Sequence, residues 1–391
     1  MKFLHISDLH LGRQLHRFPL QEEQIEILEH IRQAVAEEKP DAVLIAGDVY
    51  DRSIPPVYAT QMLDDFLTAL IETGTNICMI SGNHDSAERV GFLSGPLSAS
   101  GLHVSPAYRG EVEHVTLADN EGLVDVWLLP YLRPAAVRPF FPDESIENTN
   151  DAVACVLASI PLDRTRRNVL VAHQFVAGAA LSGSEDACAL LKPQDLTVGG
   201  SDLVEARLFS DFDYVALGHL HHAQNVTGSR GVIRYCGTPL KYSFSELNSN
   251  KSITVVNLAG DHSVTIRLRP LPEPRRLQEI RGLFSDVMSE ESIASTDRDA
   301  YTHVILTDDH PIPDVITRLR QVYPNFTHLD WDNTRTRSEA GIEAASDTDA
   351  RQHTPQELFS TFFEQVNGAS MTREQADYMD QLIRSIWEGE A

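Results

Sequence analysis

Asp8 and His10 set a carboxylate and an imidazole two positions apart, where an extended backbone would send both side chains to one side. Two such groups at a strand end can hold a divalent cation. Four further apolar runs end in the same chemistry: Asp48 after residues 42–47, Asn83 and His84 after 77–82, His173 after 168–172, and His219 and His221 after 214–217. The donors Asp8, His10, Asp48, Asn83, His173, His219 and His221 are too many for one ion with an open position. If Asp48 bridges, they divide into two sets of four, an arrangement in which two ions about 3.5–4 Å apart clamp a phosphate. Carboxylate, imidazole and amide oxygen together suit Mn²⁺, Fe or Zn²⁺ better than Mg²⁺. His84 stands outside this set and is free for proton transfer or for holding a leaving oxygen. Asp85 is expected to orient the His84 imidazole and keep it protonated, and Asp51 to contact His84 or the phosphate.

Singly, an Asp-x-His pair or a Gly-Asp after a strand is usually a turn or a cap, and a lone histidine is usually an ordinary one. The case rests on five such pieces recurring in order, each at a strand end. The remaining histidines, His5, His303 and His328 among them, lack that context and keep the ordinary reading.

Elements of regular spacing must position these groups. Residues 24–35 carry Ile25, Leu28, Ile31 and Val35 at helical spacing between the first two strands. A second helix over 58–72 carries Met62, Phe66, Leu67 and Leu70. Strands then follow at 112–117 and 124–130 without long helices between them, so the α/β start passes into hairpins. The expected fold class is therefore mixed α/β (α+β), two mixed sheets rather than a dinucleotide-binding unit, whose Gly-x-Gly-x-x-Gly turn is missing. A helix is expected over 146–159, a Gly-, Ser- and Asp-rich excursion over 178–208, and further strands from Tyr214, over 232–235, 252–258 and 263–268. Pro270, Pro272 and Pro274 mark a linker. Beyond them, 276–331 reads as helix-strand-helix-strand, with a strand at 301–306 and a helix at 315–322. The expected domains are thus 1–270, a small α/β domain at 275–335, a polar flexible tether at 336–353 and a helical region at 354–391. There, Thr354-Pro355-Gln356-Glu357 and Thr372-Arg373-Glu374-Gln375 read as helix starts. Leu358, Phe359, Phe362 and Phe363, then Leu382, Ile383 and Trp387, form apolar stripes that fit a partner protein's surface.

The chain has 391 residues, is 42% hydrophobic and carries a net charge of −25. Such a charge counts against a long phosphate-tracking groove, so a nucleic-acid substrate needs metals, a local basic strip or a partner. The segment 336–391 holds eleven acidic and four basic residues, which disfavours DNA as what the terminal helices touch. Four dispersed cysteines, with no Cys-x-x-Cys, indicate neither a zinc knuckle nor a disulfide framework. No apolar run is long enough to span a membrane and no leader precedes the first strand, so a cytoplasmic protein is expected.

Together, Asp8-x-His10, Gly47-Asp48-x-x-Asp51, Gly82-Asn83-His84-Asp85, His173 and Gly218-His219-x-His221 resemble the motifs of the calcineurin-like metallophosphoesterases over residues 1–240. Gly47-Asp48-Val49-Tyr50-Asp51 with Pro55-Pro56, Tyr235-Cys236-Gly237-Thr238-Pro239 and Ser243-Phe244-Ser245-Glu246 narrow the likeness to the nuclease subunits of SbcCD-type complexes. The resemblance implies two mixed sheets between helices, a DNA-capping domain, and C-terminal helices that grip the coiled coil of an SbcC-type ATPase. It also implies a homodimer within a heterotetramer. One ion would be held by Asp8, His10, Asp48 and His221, the other by Asp48, Asn83, His173 and His219, with His84 catalytic. One departure is Ala172, where many members have Gly before the fourth-motif histidine. The expected function is a Mn²⁺-dependent DNA exo- and endonuclease. Its rivals are a phosphatase or cyclic-nucleotide phosphodiesterase of the same family, and a scaffold without chemistry, which should lack a ligand.

Overall fold

The computed structural model describes residues 1–92, 94–177 and 203–333, with scattered positions between Phe359 and Leu382. The chain divides into two compact units, Met1–Pro274 and Arg275–Ala391.

The first unit holds two six-stranded sheets. Its opening strands are β1 (Lys2–Ile6), β2 (Ala42–Ala46), β3 (Asn76–Ile80) and β4 (Leu102–Ser105), joined by α1 (Gln21–Glu38) and α2 (Val57–Glu72). A second group comprises β5 (Glu113–Asp119), β6 (Gly122–Leu129), β7 (Arg167–Ala172), β8 (Tyr214–Leu217), β9 (Gln224–Val226) and β10 (Val232–Tyr235), with α3 (Thr149–Ala158) before β7. Strands β11 (Ser252–Leu258) and β12 (Val264–Pro270) return to the first sheet, whose order is β12-β11-β1-β2-β3-β4; the second runs β9-β10-β8-β7-β6-β5. Strands β1 to β4 are parallel, as are β6, β7, β8 and β10, and antiparallel partners flank these parallel runs. All five residues of β2 are buried, as a near-continuous apolar strand covered on both faces requires.

Phe3, Leu44 and Ile80 from one sheet meet Val126, Val169 and Ala216 from the other in the sandwich core. Full burial of a side chain such as Leu44 contributes roughly 1.5–3 kcal/mol. The second sheet's other face packs Leu170, Val215 and Leu217 with Ala152, Val153 and Val156 of α3. That helix is N-capped by Asn148, whose side chain accepts from the Asp151 backbone N–H at 3.0 Å. In α1 the buried stripe is Gln24, Ile27, Leu28, Ile31, Ala34 and Val35, whereas Ile25 is half exposed. The expected stripe counted Ile25 in place of Ile27; the i, i+3, i+4 rhythm that includes Ala34 and the polar Gln24 is the one that faces inward.

The second unit contains β13 (Leu277–Gly282), β14 (Tyr301–Leu306), α4 (Val315–Val322) and β15 (Phe326–Trp331), with two short helices at Phe284–Val287 and Glu290–Ser295. Its three strands are parallel, in the order β13-β14-β15. A strand therefore opens this unit where a helix was expected, because Leu277 and Ile280 sit in a short stretch whose polar residues mask any period. One sheet face packs Ile280, Val304, Leu306 and Leu329 with Phe284, Val287 and Leu319 from the helices.

The excursion read at 178–208 lies outside the described residues up to 202; its described end contains a short strand, Leu203–Glu205, parallel to Phe175–Ala177. The tether read at 336–353 and the stripe residues Leu358, Phe362, Ile383 and Trp387 also lie outside the described residues. Phe359 and Phe363 are half-buried and Leu382 is exposed. At the helix start read from 372–375, Thr372 and Gln375 form a reciprocal capping box, with the Thr372 N–H donating to Gln375 Oε1 at 2.9 Å and the Gln375 N–H to Thr372 Oγ1 at 3.3 Å. Among the described residues, no helix is long and apolar enough to cross a membrane.

Candidate metal centre

All seven predicted donors lie just beyond the C-terminal ends of parallel strands. Asp8 and His10 follow β1, Asp48 follows β2, Asn83 follows β3, His173 follows β7, and His219 and His221 follow β8. Since β1, β2 and β3 are parallel in one sheet, and β7 and β8 in the other, five strand ends deliver to one cleft. Asp8 and His10 reach it by a different route from the extended backbone expected for them. Both are left-handed, with φ of 52° and 43°, as is Asp48 at 49°. Non-glycine residues seldom adopt this conformation, and it is held here by backbone bonds from the Asp8 N–H to Gly47 O and the His10 N–H to Asp48 O, each 3.0 Å.

Asp48 is central. Its Oδ2 lies 3.3 Å from His173 Nε2 and 3.8 Å from His10 Nε2, while its Oδ1 accepts the His84 backbone N–H at 2.9 Å. Asn83 Oδ1 lies 3.1 Å from both His173 Nε2 and His219 Nδ1. On the other side of Asp48, His10 Nε2 is 3.3 Å from His221 Nε2 and 3.9 Å from Asp8 Oδ1. Two glycines make this crowding feasible. A Cβ on Gly82 would lie 2.1 Å from Asp48 Oδ1, and one on Gly218 2.0 Å from the Ala46 carbonyl oxygen. Ala172 leaves His173 in place, with its Nδ1–H donating to Ala46 O at 2.7 Å and its Nε2 directed inward.

Such a set of acceptors suits cations. Asp8, Asp48, His10 and His173 are almost wholly buried, and donor atoms of Asp8, His10 and His221, and of Asp8, Asp48 and His173, fall within the span one metal ion can bridge. Burial would raise the Asp48 carboxyl, but His173, His10 and His84 hold it well below the usual range. Burial likewise pushes the His173 imidazole down, yet Asp48 and Asp8 raise it to about 9. His219, lowered first by burial and then by His173, falls to about 3, and burial pushes His10 well below its ordinary value. The carboxylates therefore stabilise positive charge here, while His219 and His10 keep neutral, ligand-ready rings.

His84 differs from these groups in being 40% exposed to the cleft. Its Nδ1 lies 2.9 Å from the Asp51 carbonyl oxygen, so Nδ1–H donates there and Nε2 is presented 4.0 Å from Asp48 Oδ2. The expectation that Asp85 orients this ring is corrected. Its carboxylate accepts the backbone N–H groups of Val49 at 3.1 Å, Tyr50 at 2.9 Å and Gly82 at 2.9 Å, tying the loops after β2 and β3 together. Burial, then Asp48, raises this carboxyl to about 6. Asp51 orients His84 through its backbone, while its side chain pairs with Arg13 at 2.8 Å.

Several residues of the site carried no signal of role in the sequence. Arg13 lines the cleft, a space of about 430 Å³, beside His10 and His84. Gln24 reaches from α1 to hold the first loop, donating to His10 O at 2.8 Å and accepting from the Gly12 N–H at 3.0 Å. Glu246 lies 3.5 Å from His221 Nδ1, pairs with Lys251, and accepts from Thr238 Oγ1 at 3.1 Å. Thr238 and Glu246 belong to the stretches that narrowed the resemblance, and this is the physical work they do: a buried carboxylate fixes the ring that faces the cleft.

Known proteins match the chain along its whole length. Residues 1–223 match the calcineurin-like phosphoesterase family, and residues 273–367 match a family described as the type 5 capsule protein repressor C-terminal domain. The chain is 31% identical to the D component of the SbcCD nuclease from Staphylococcus epidermidis, over 100% of each chain. It is 30% identical to the protein of the same name from Staphylococcus saprophyticus, over 99% of each chain. Among solved structures it is similar to a dimetal phosphatase from Danio rerio, at 13% identity and a TM-score of 0.42, covering 70% of this chain and 97% of that one.

Proposed function

The chain belongs to the calcineurin-like phosphoesterase family and, within it, to the nuclease components of SbcCD, and from that premise we propose that it is a Mn²⁺-dependent phosphodiesterase cutting DNA ends or hairpins. The observation that carries this reading is the convergence of seven donors from five strand ends around Asp48, with the imidazole of His84 exposed beside them. Asp8, His10, Asp48 and His221 would hold one ion, and Asp48, Asn83, His173 and His219 the other. Bound there, two divalent ions supply positive charge to the phosphate and activate water. The protein's own groups do the rest. His84, oriented by the Asp51 carbonyl, donates a proton from Nε2 to the phosphate or the leaving oxygen. Arg13, held by Asp51, places a guanidinium where a phosphate enters, a local positive charge that a chain of net charge −25 requires. Asp85 keeps the two loops in register.

Residues 275–335 are read as the DNA-capping domain, and the apolar terminal stripes as the site for an SbcC-type ATPase, in a heterotetramer built on a homodimer in the cytoplasm. The test is purification from the native cell followed by assay. A large ATPase should copurify, and Mn²⁺ should support cleavage of linear duplex DNA. Hydrolysis of small phosphomonoesters alone, with no ATPase present, would return the chain to the phosphatase reading.

A further inference from the structure

The second unit carries a group of side chains that the nuclease chemistry does not use. Glu279, His303 and His328 are neighbours across β13, β14 and β15, in one row on the sheet face opposite the apolar cluster. The row depends on an irregularity. Thr302 pairs with Phe326, but His303 pairs with His328, so the register shifts by one residue and Thr327 is the extra one. A regular ladder would set Thr327 opposite His303 and turn His328 toward the apolar side. The bulge lets Phe326 and Leu329, three apart, share the apolar face while His328 joins His303 on the other.

The imidazoles stack with centroids 3.9 Å apart and planes 7° from parallel. His303 Nε2 lies 2.9 Å, and His328 Nε2 3.3 Å, from the same oxygen, Asp330 Oδ2. Parallel rings cannot both aim an in-plane lone pair at one ion, so ligation would turn the imidazoles out of their stack; the donor atoms of the three residues already lie close enough for one ion to reach them all. Glu279 Oε2 stands 3.3 Å from His303 Nδ1. That contact falls short of a hydrogen bond, so Glu279 acts on His303 as a neighbouring charge, while His303 Nε2 and Asp330 Oδ2 form the bond that an ion would replace.

We propose that His303, His328 and Asp330, with the Glu279 carboxylate beside His303, bind one divalent ion of the zinc class on the sheet of the second unit. Two imidazoles and one carboxylate favour a borderline ion such as Zn²⁺ over Mg²⁺ or Ca²⁺, and the exposed Asp330 leaves a coordination position for water. The ion ties β15 to β14, and it shares no ligand with the set around Asp48.

The test uses the full chain, stripped with a chelator, loaded with excess Zn²⁺, desalted and analysed for metal. The His303→Ala/His328→Ala protein should hold one zinc fewer per chain than the wild type, with Mn²⁺-dependent reporter hydrolysis unchanged. Glu279→Gln, which removes a neighbouring negative charge, should keep the stoichiometry but weaken this one site several-fold in competition with a zinc chelator. If the double variant unfolds, Asp330→Asn decides, because its exposed side chain can change without disturbing the core: it too should hold one zinc fewer. Equal zinc content and equal affinity in the wild type and the folded variants would overturn the proposal and leave an ordinary stacked histidine pair sharing a carboxylate.

Discussion

His84 and Asp48 lie one bond network apart and should fail in opposite ways. His84 is exposed to the cleft and touches Asp48 through its backbone N–H, which a side-chain truncation leaves intact. His84→Ala should therefore keep two Mn²⁺ ions per chain in a calorimetric titration while cleavage falls about 10²- to 10⁴-fold; loss of both ions would remove it from the proton-transfer role. Asp48→Ala takes away the carboxylate between the two sets of donors, so metal analysis should find at least one ion missing. Glu246 gives the pH prediction. Burial opposes its ionisation, but His221 and Lys251 outweigh that and hold it at about 2, below its ordinary 4.5. Its folded form thus binds a proton less readily than its unfolded form. The stability it contributes is complete above about 4.5 and is lost as pH falls from there toward 2. In the metal-free protein, Glu246→Gln should flatten the decline of Tm over that window; an unchanged slope would mean that the carboxylate is not linked to folding. The convergence of the seven proposed donor side chains was legible because they follow five apolar runs. Glu246, Arg13 and Gln24 were not, because their roles exist only once distant loops fold back on His221, Asp51 and His10.

Elements show a similar division. Runs such as Ala42–Ala46 announce buried strands, and the breaks after them locate the loops that carry the proposed ligands. The left-handed turns at Asp8 and His10 are invisible in residue types that seldom adopt them, and so is the one-residue shift at Thr327, which depends on strand pairing. Another long-range tie of this kind secures the chain start to the second sheet. Asp119, at the end of β5, receives Met1 N at 2.7 Å and the guanidinium of the buried Arg167 at 2.5 Å, while Met1 N also donates to Leu258 O at 2.8 Å. Asp119→Ala would leave Arg167 buried with only carbonyl partners and the exposed Glu121 at 3.6 Å. Urea unfolding at neutral pH should show a loss of roughly 2–3 kcal/mol, the scale of hydrogen bonds to charged groups. A variant with wild-type midpoint would show that the edge is held by the strand ladder alone.

Across the whole molecule, every proposed ligand of the nuclease site precedes residue 222, while the proposed partner stripes lie beyond residue 353. The two activities should therefore be separable by ending the chain after Gln352. Such a chain retains both six-stranded sheets and the three strands of the second unit, so it should still cut a small phosphodiester reporter with Mn²⁺. It loses Phe359, Phe363 and Leu382 along with the rest of the stripes. Apolar side chains of that size contribute roughly 1.5–3 kcal/mol each when fully buried against a partner, enough for a few of them to anchor a complex. ATP-dependent cutting of duplex DNA in a mixture with the ATPase should then fall steeply while reporter hydrolysis persists. Copurification of the shortened chain with the ATPase at full-length yield would place the tether elsewhere. Aggregation with loss of reporter activity would instead assign the stripes to the chain's own core, since only side chains that the nuclease itself needs buried would expose sticky surface on removal of their cover.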